Sequence, residues 1–91
     1  MIVRLPASLS QSGKSGMVDL EVAPATTLRG LLTEIERQVP GATKRIIDDS
    51  GKLYGFVNLY VNGNNVRHGD GMETVVSERD EVLILPAISG G

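Results

Sequence analysis

The chemistry this sequence offers is concentrated at its end, Pro86-Ala87-Ile88-Ser89-Gly90-Gly91. Glycines carry no Cβ, so Gly90-Gly91 can lie extended and thread a channel too narrow for bulkier residues. Gly91 is then expected to present an unhindered α-carboxylate. Such a carboxylate is inert until activated, and reaction with ATP to an acyl-adenylate is the usual biological route. Little else competes for attention. The 91 residues include no cysteine and no tryptophan, and His68 is the sole histidine. Zero cysteines exclude a disulfide scaffold, a thiolate zinc site, an iron–sulfur cluster and a cysteine nucleophile. One histidine cannot build a multi-histidine metal site, so neither a metal nor a bound cofactor is expected.

Other chemistry-bearing residues have plainer readings. His68 lies beside Gly69 in a polar stretch and reads as a solvated turn residue. Asp48-Asp49 precedes Ser50-Gly51, which is turn chemistry rather than a metal site. Gly13-Lys14-Ser15 imitates the end of a phosphate loop, but Ser8 stands where the first glycine belongs. That loop also leads into a strand, not a helix. Asp19, Glu21, Asp80 and Glu81 read as solvated charges, with Arg67 and Arg79 available to acids on a partner.

Nine Lys and Arg face eleven Asp and Glu, for a net charge of −2 and no basic run. Nucleic-acid binding needs a cationic stripe to neutralise phosphates, so that class of partner is excluded. No apolar stretch approaches the roughly 20 residues of a membrane span. The N-terminal Met-Ile-Val-Arg-Leu-Pro reads as a strand rather than a signal peptide, and a cytoplasmic protein is expected. With 41% hydrophobic and 22% charged residues, the composition is that of one small folded domain.

The elements that must position the tail follow from periodicity. Residues 2–6 and 17–22 form a predicted hairpin across a Gly/Ser-rich connection, with Val3, Leu5, Val18, Leu20 and Val22 on its inner face. Thr26 or Thr27 caps a helix whose apolar face is Leu28, Leu31, Leu32, Ile35 and Val39, and Pro40-Gly41 stops it. Residues 43–48 suggest a further helical turn. Phe56–Asn62 is the strongest strand signal, with Val57, Leu59 and Val61 opposed by Phe56, Asn58 and Tyr60. Asn62-Gly63 predicts a tight turn, followed by a short strand around Val66-Arg67 and a turn at Asp70-Gly71. Glu81–Pro86 is a last, nearly all-apolar strand suited to the middle of a sheet.

The order β-β-α-β-β-β predicts an α+β, ubiquitin-like β-grasp domain over residues 1–86, with a flexible tail over 87–91. One main helix covers one face of a mixed sheet of four to five strands. Val82 and Ile84 then face the helix, while Leu83 and Leu85 face outward beside Phe56 and Tyr60. That apolar patch, with Asn58 and Pro86, is expected to bind a partner.

A β-grasp order ending in an apolar strand and Gly90-Gly91 resembles the ThiS/MoaD family of sulfur-carrier proteins. Gly51-Lys52-Leu53, Phe56-Val57-Asn58, Tyr60-Val61-Asn62, Val66-Arg67 and Ile84-Leu85-Pro86-Ala87 are similar to the CysO-type branch. The N-terminal half agrees mainly in element order and in Thr27-Leu28 opening the helix. The resemblance implies a carrier or co-substrate rather than an enzyme. An E1-like adenylyltransferase would bind the sheet patch and use MgATP to convert the Gly91 carboxylate to acyl-AMP. A sulfur source would displace AMP and leave a thiocarboxylate, with Ile88, Ser89 and Gly90 as the tail that delivers it. The implied acceptors are a cysteine synthase, with a metallopeptidase releasing the product, or the large subunit of molybdopterin synthase. A ubiquitin-like modifier joined through Gly91 to lysines, and a plain interaction module, remain open alternatives. Loss of Gly91 separates the interaction module from the rest.

Overall fold

The computed structural model describes residues 1–7, 16–23 and 27–86. Strand β1 (Ile2–Pro6) pairs antiparallel with β2 (Met17–Glu21), from Ile2 opposite Glu21 to Pro6 opposite Met17. Helix α1 (Leu28–Gln38) and a single-turn helix α2 (Thr43–Ile46) follow. The chain then returns to the sheet as β3 (Val57–Val61), β4 (Asn64–Asn65) and β5 (Val82–Pro86), with two 3-10 turns at Val66–His68 and Gly71–Glu73. The strand order is β2-β1-β5-β3-β4, parallel between β1 and β5 and antiparallel elsewhere. This is the expected mixed five-stranded β-grasp sheet, with one main helix packed on it.

Alternation along each strand and the 3.6-residue period of α1 build one core. Val3, Leu5, Val57, Leu59, Val82 and Ile84 meet Leu28, Leu31, Leu32 and Ile35, all buried. Val18 and Leu20 lie against this core but stay half-buried, because β2 is the outer strand. Thr27, not Thr26, is the N-cap of α1: its hydroxyl accepts from the Gly30 amide at 3.3 Å. Beyond the helix, the Glu36 carboxylate accepts from the amides of Gly41 at 2.7 Å and Thr43 at 3.0 Å. One side chain thus ties the end of α1 to the start of α2.

Two expectations need correction. The short strand expected at Val66-Arg67 is Asn64–Asn65 instead, and Val66–His68 is a 3-10 turn. The Asn65 side chain accepts from the Arg67 amide at 2.9 Å, which caps a helical turn and competes with the ladder. Val66 is buried as its anchor. Phe56 also lies outside β3, which starts at Val57. The Val57 amide donates to the Tyr54 carbonyl at 3.0 Å, so residues 54–57 form a turn into the strand. The expected turn at Asn62-Gly63 is present, with φ of 52° and 85°, and Val61 pairs with Asn64 across it.

Candidate functional site

β5 carries the chain toward its end. It is the middle strand of the sheet, flanked by β1 and β3, and its alternate residues Val82 and Ile84 are buried under α1. The last rung places Pro86 opposite Val57. The expected carrier residues Ile88, Ser89, Gly90 and Gly91 lie outside the described residues. What is described is the strand from which they continue, held by two neighbours and by the core.

On the face away from α1, the β3–β5 register sets Leu83 opposite Tyr60 and Leu85 opposite Asn58, all four half-buried. Ile2, 42% exposed, extends this apolar floor onto β1. An open groove runs across the face, lined by Ile2, Tyr60, Leu83 and Leu85, with charged residues at its margins. Of the sequence-predicted patch, Tyr60, Leu83 and Leu85 line this groove, and Asn58 stands opposite Leu85 on the same face. Pro86 is placed by its backbone rung with Val57. Phe56 is set apart: 55% exposed, it stacks on Tyr54 with ring centroids 4.9 Å apart and planes 12° from parallel. The stack stands next to the last rung of β5, at the root of the tail, rather than within the groove.

The margins of the groove carry charges that are engaged by neighbours rather than simply solvated. Arg4 and Asp19 pair across β1 and β2, Nε to Oδ1 at 2.8 Å and Nη2 to Oδ2 at 3.4 Å. The hydrogen bond from Arg4 holds the Asp19 carboxyl below the usual carboxylate range. Asp80 accepts from the Asn62 side chain at 2.9 Å and from the Ser77 amide at 2.8 Å, which lowers its pKa. Asn62 in turn accepts from the Glu81 amide at 2.9 Å, so the β3–β4 turn is locked to the start of β5. Ile2 and Arg4 also belong to this face. Their signal was the same alternation that placed Val3 and Leu5 inside, since period two exposes the residues between them.

Arg67 does not project toward a partner. Its guanidinium donates to the carbonyls of Tyr54 and Val57, holding the turn that enters β3. His68 is exposed in its 3-10 turn. Asp48 accepts from the Ser50 amide at 2.8 Å, the Ser50 hydroxyl at 2.6 Å and the Lys52 amide at 3.1 Å, as the turn reading required. Among the described residues, no group of three or more His, Asp and Glu is placed to hold a metal ion. No described helix is long and apolar enough to cross a membrane.

Comparison with known proteins fits this architecture. A candidate sulfur carrier protein of Archaeoglobus fulgidus is 38% identical over 90 residues, covering 98% of this chain and 96% of its own. The sulfur carrier protein CysO of Mycobacterium tuberculosis is 41% identical over 71 residues, 76% of each chain. Among solved structures, a chain of the Amycolatopsis orientalis BexX/CysO complex superposes with a TM-score of 0.78 at 28% identity. That match covers 98% of this chain and 99% of the other. The ThiS family model matches residues 3–91, from the first core position of β1 through the final glycine pair, and the chain belongs to the ThiS family.

Proposed function

We propose that this protein is a sulfur carrier of the CysO type, working through the α-carboxylate of Gly91. One observation carries the reading: the family match extends through β5 to Gly90-Gly91, the segment where the carrier chemistry would occur. The 41% identity to CysO supports a place in cysteine biosynthesis over the molybdopterin branch. An E1-like adenylyltransferase docks on the open sheet face and receives the tail. A Gly91 carboxylate oxygen attacks the α-phosphorus of MgATP, pyrophosphate leaves, and an acyl-AMP forms. A sulfide-level sulfur donor then attacks the acyl carbon, AMP departs, and a thiocarboxylate remains.

Sulfur is softer and more nucleophilic than oxygen, so the thiocarboxylate sulfur adds to Cβ of an activated serine derivative held by a cysteine synthase, and the new S–Cβ bond replaces the bond to the serine oxygen, which leaves with its activating group. An acyl shift from sulfur to nitrogen leaves cysteine amide-linked to Gly91, and a metallopeptidase hydrolyses that bond. The carrier contributes no catalytic side chain to these steps. Its central strand holds the tail's root, and its sheet face selects the enzyme.

Intact-mass analysis of the protein from its native host tests the reading directly. The expected product carries sulfur in place of one terminal oxygen, an increase of about 16 Da, on a chain ending at Gly91. Lysine-linked conjugates without thiocarboxylate would replace the carrier reading with that of a protein modifier. Deleting Gly91 should abolish the mass change, whereas an interaction module would lose nothing.

A further inference from the structure

Of the four asparagines in the chain, Asn62 alone is followed by glycine. That pairing leaves a carboxamide open to its own backbone. With no side chain on Gly63 to crowd it, the Gly63 amide nitrogen can attack Cγ of Asn62. The N–Cγ bond forms as ammonia leaves, and a five-membered succinimide results. Water then opens the ring at either carbonyl, giving aspartate or isoaspartate. Leu59, Asn65 and Val66 follow the other three asparagines, and their side chains hinder the same attack. Asn62 and Gly63 are also exposed, at the tip of the β3–β4 turn.

The folded chain holds this carboxamide at both ends. Nδ2 of Asn62 donates to Asp80 Oδ1 at 2.9 Å, a bond strengthened by the carboxylate charge. Oδ1 of Asn62 accepts from the Glu81 amide at 2.9 Å, and the Asn62 amide donates to the Glu81 carbonyl at 2.9 Å. Asp80 is itself fixed. The Ser77 amide donates to its Oδ2 at 2.8 Å, and the Asp80 amide donates to the Ser77 carbonyl at 3.0 Å.

We infer that Asn62-Gly63 is the deamidation site of this protein and that Asp80 is the residue that restrains it. Both side-chain bonds must break before the carboxamide can rotate its face onto the Gly63 nitrogen. The product then undoes the lock. A carboxylate at position 62 has no N–H for Asp80, and two negative groups face one another across the former hydrogen bond. Isoaspartate also inserts a methylene into the main chain of a two-residue turn whose ends are set by Val61 opposite Asn64. Either product loosens the join between the β3–β4 turn and the start of β5.

Peptide mapping of the full chain at mildly alkaline pH follows the gain of about 1 Da at Asn62 and the isoaspartate content. Folded wild type should react at least about tenfold more slowly than the same chain unfolded in guanidinium chloride. Asp80→Ala should react at least about fivefold faster than folded wild type, with circular dichroism verifying the fold. If Asp80→Ala does not fold, Asp80→Asn gives the comparison, since it removes the charge and keeps the shape. Gly41→Ala, strained just beyond the C-terminal end of α1, should keep the wild-type rate, because the reaction follows local opening rather than global unfolding. Asn62→Asp should melt below wild type. Asn62→Asp/Asp80→Asn should regain most of that loss, because donor and acceptor have exchanged sides. An Asp80→Ala rate equal to wild type, or equal acceleration by Gly41→Ala, would overturn the restraint by Asp80. Equal rates in the folded and unfolded wild type would remove protection by the fold altogether. An unfolded chain that gains no mass at Asn62 would remove the site itself.

Discussion

The guanidinium of Arg67 donates to the carbonyl of Val57, standing in for a strand that is not there. The Asn62 amide bonds the Glu81 carbonyl, so alternation directs the backbone groups of Tyr60 and Asn58 toward β5. Those of Leu59 and Val57 then point to the β4 side, where β4 has already ended at Asn65. The same guanidinium nitrogen also reaches the Tyr54 carbonyl. Arg67→Ala removes both charge-assisted bonds and should cost about 1–2 kcal/mol in denaturant unfolding. Arg67→Lys has one rotatable ammonium in place of a planar fork and should recover only part of that. Amide exchange around residues 54–57 should quicken in both. An unfolding midpoint for Arg67→Ala equal to wild type would mean that water replaces the clamp at no cost.

This clamp also marks the limit of what was legible beforehand. Strand alternation and the helical period of Leu28, Leu31, Leu32 and Ile35 identified the layers, the core and the outward pair Leu83 and Leu85. Both patterns are local and repeat often enough to read. The end of β4 depends instead on one side chain, Asn65, capping the Arg67 amide, and apolar patterning is silent on such a competition. Phe56 kept the parity of Asn58 and Tyr60, so alternation extended β3 one residue too far. The stacking of Phe56 on Tyr54 and the turn bond to the Tyr54 carbonyl are what end the strand. Asp80 looked solvated because its partners, Asn62 and Ser77, arrive from a turn and a loop with no shared periodicity.

Glu36 should make stability pH-dependent. Its carboxylate accepts from the Gly41 and Thr43 amides, and these bonds hold its pKa below the usual range. A carboxyl whose pKa is depressed by folding contributes stability above its unfolded pKa of about 4.3. That contribution is lost as pH falls through the lower folded value. Asp19, Asp48 and Asp80 shift in the same direction, so their effects add. Thermal melting should hold from neutral pH to about pH 5 and decline below about pH 4. Glu36→Gln should be less stable than wild type at pH 7, and the difference should shrink in acid. A constant difference across that range would detach Glu36 from the acid response.

Gly51 and Gly41 share a left-handed backbone but differ in surroundings. Gly51 has φ +87°, and a Cβ there would lie 2.8 Å from Arg29 Nη1, the same nitrogen that donates to the Gly51 carbonyl at 3.1 Å. Gly41 has φ +92° with nothing within 4 Å. Gly41→Ala should cost about 1 kcal/mol, for the backbone alone. Gly51→Ala should cost more, because Arg29 must shift and strain its contact with Glu73 at 2.8 Å. Paired unfolding measurements give the difference. Equal losses would show that the exposed Arg29 side chain moves aside freely.

β5 should separate fold from recognition at adjacent residues. Ile84 is fully buried and Leu85, next along the strand, is half-buried on the open face. Ile84→Ala leaves a cavity between sheet and helix and should destabilise by about 2–5 kcal/mol. Leu85→Ala removes only partly buried area and should cost under about 1 kcal/mol. If the sheet face docks the activating enzyme, their effects on sulfur loading should reverse in origin. Loading of Ile84→Ala should recover when assayed well below its melting temperature, because the face is unchanged. Leu85→Ala should stay impaired at every temperature at which it is folded, with a raised apparent KM for the carrier. Full loading by Leu85→Ala at limiting carrier concentration would move the docking site off this face, and the exposed Phe56, stacked on half-buried Tyr54, would be the next residue to mutate.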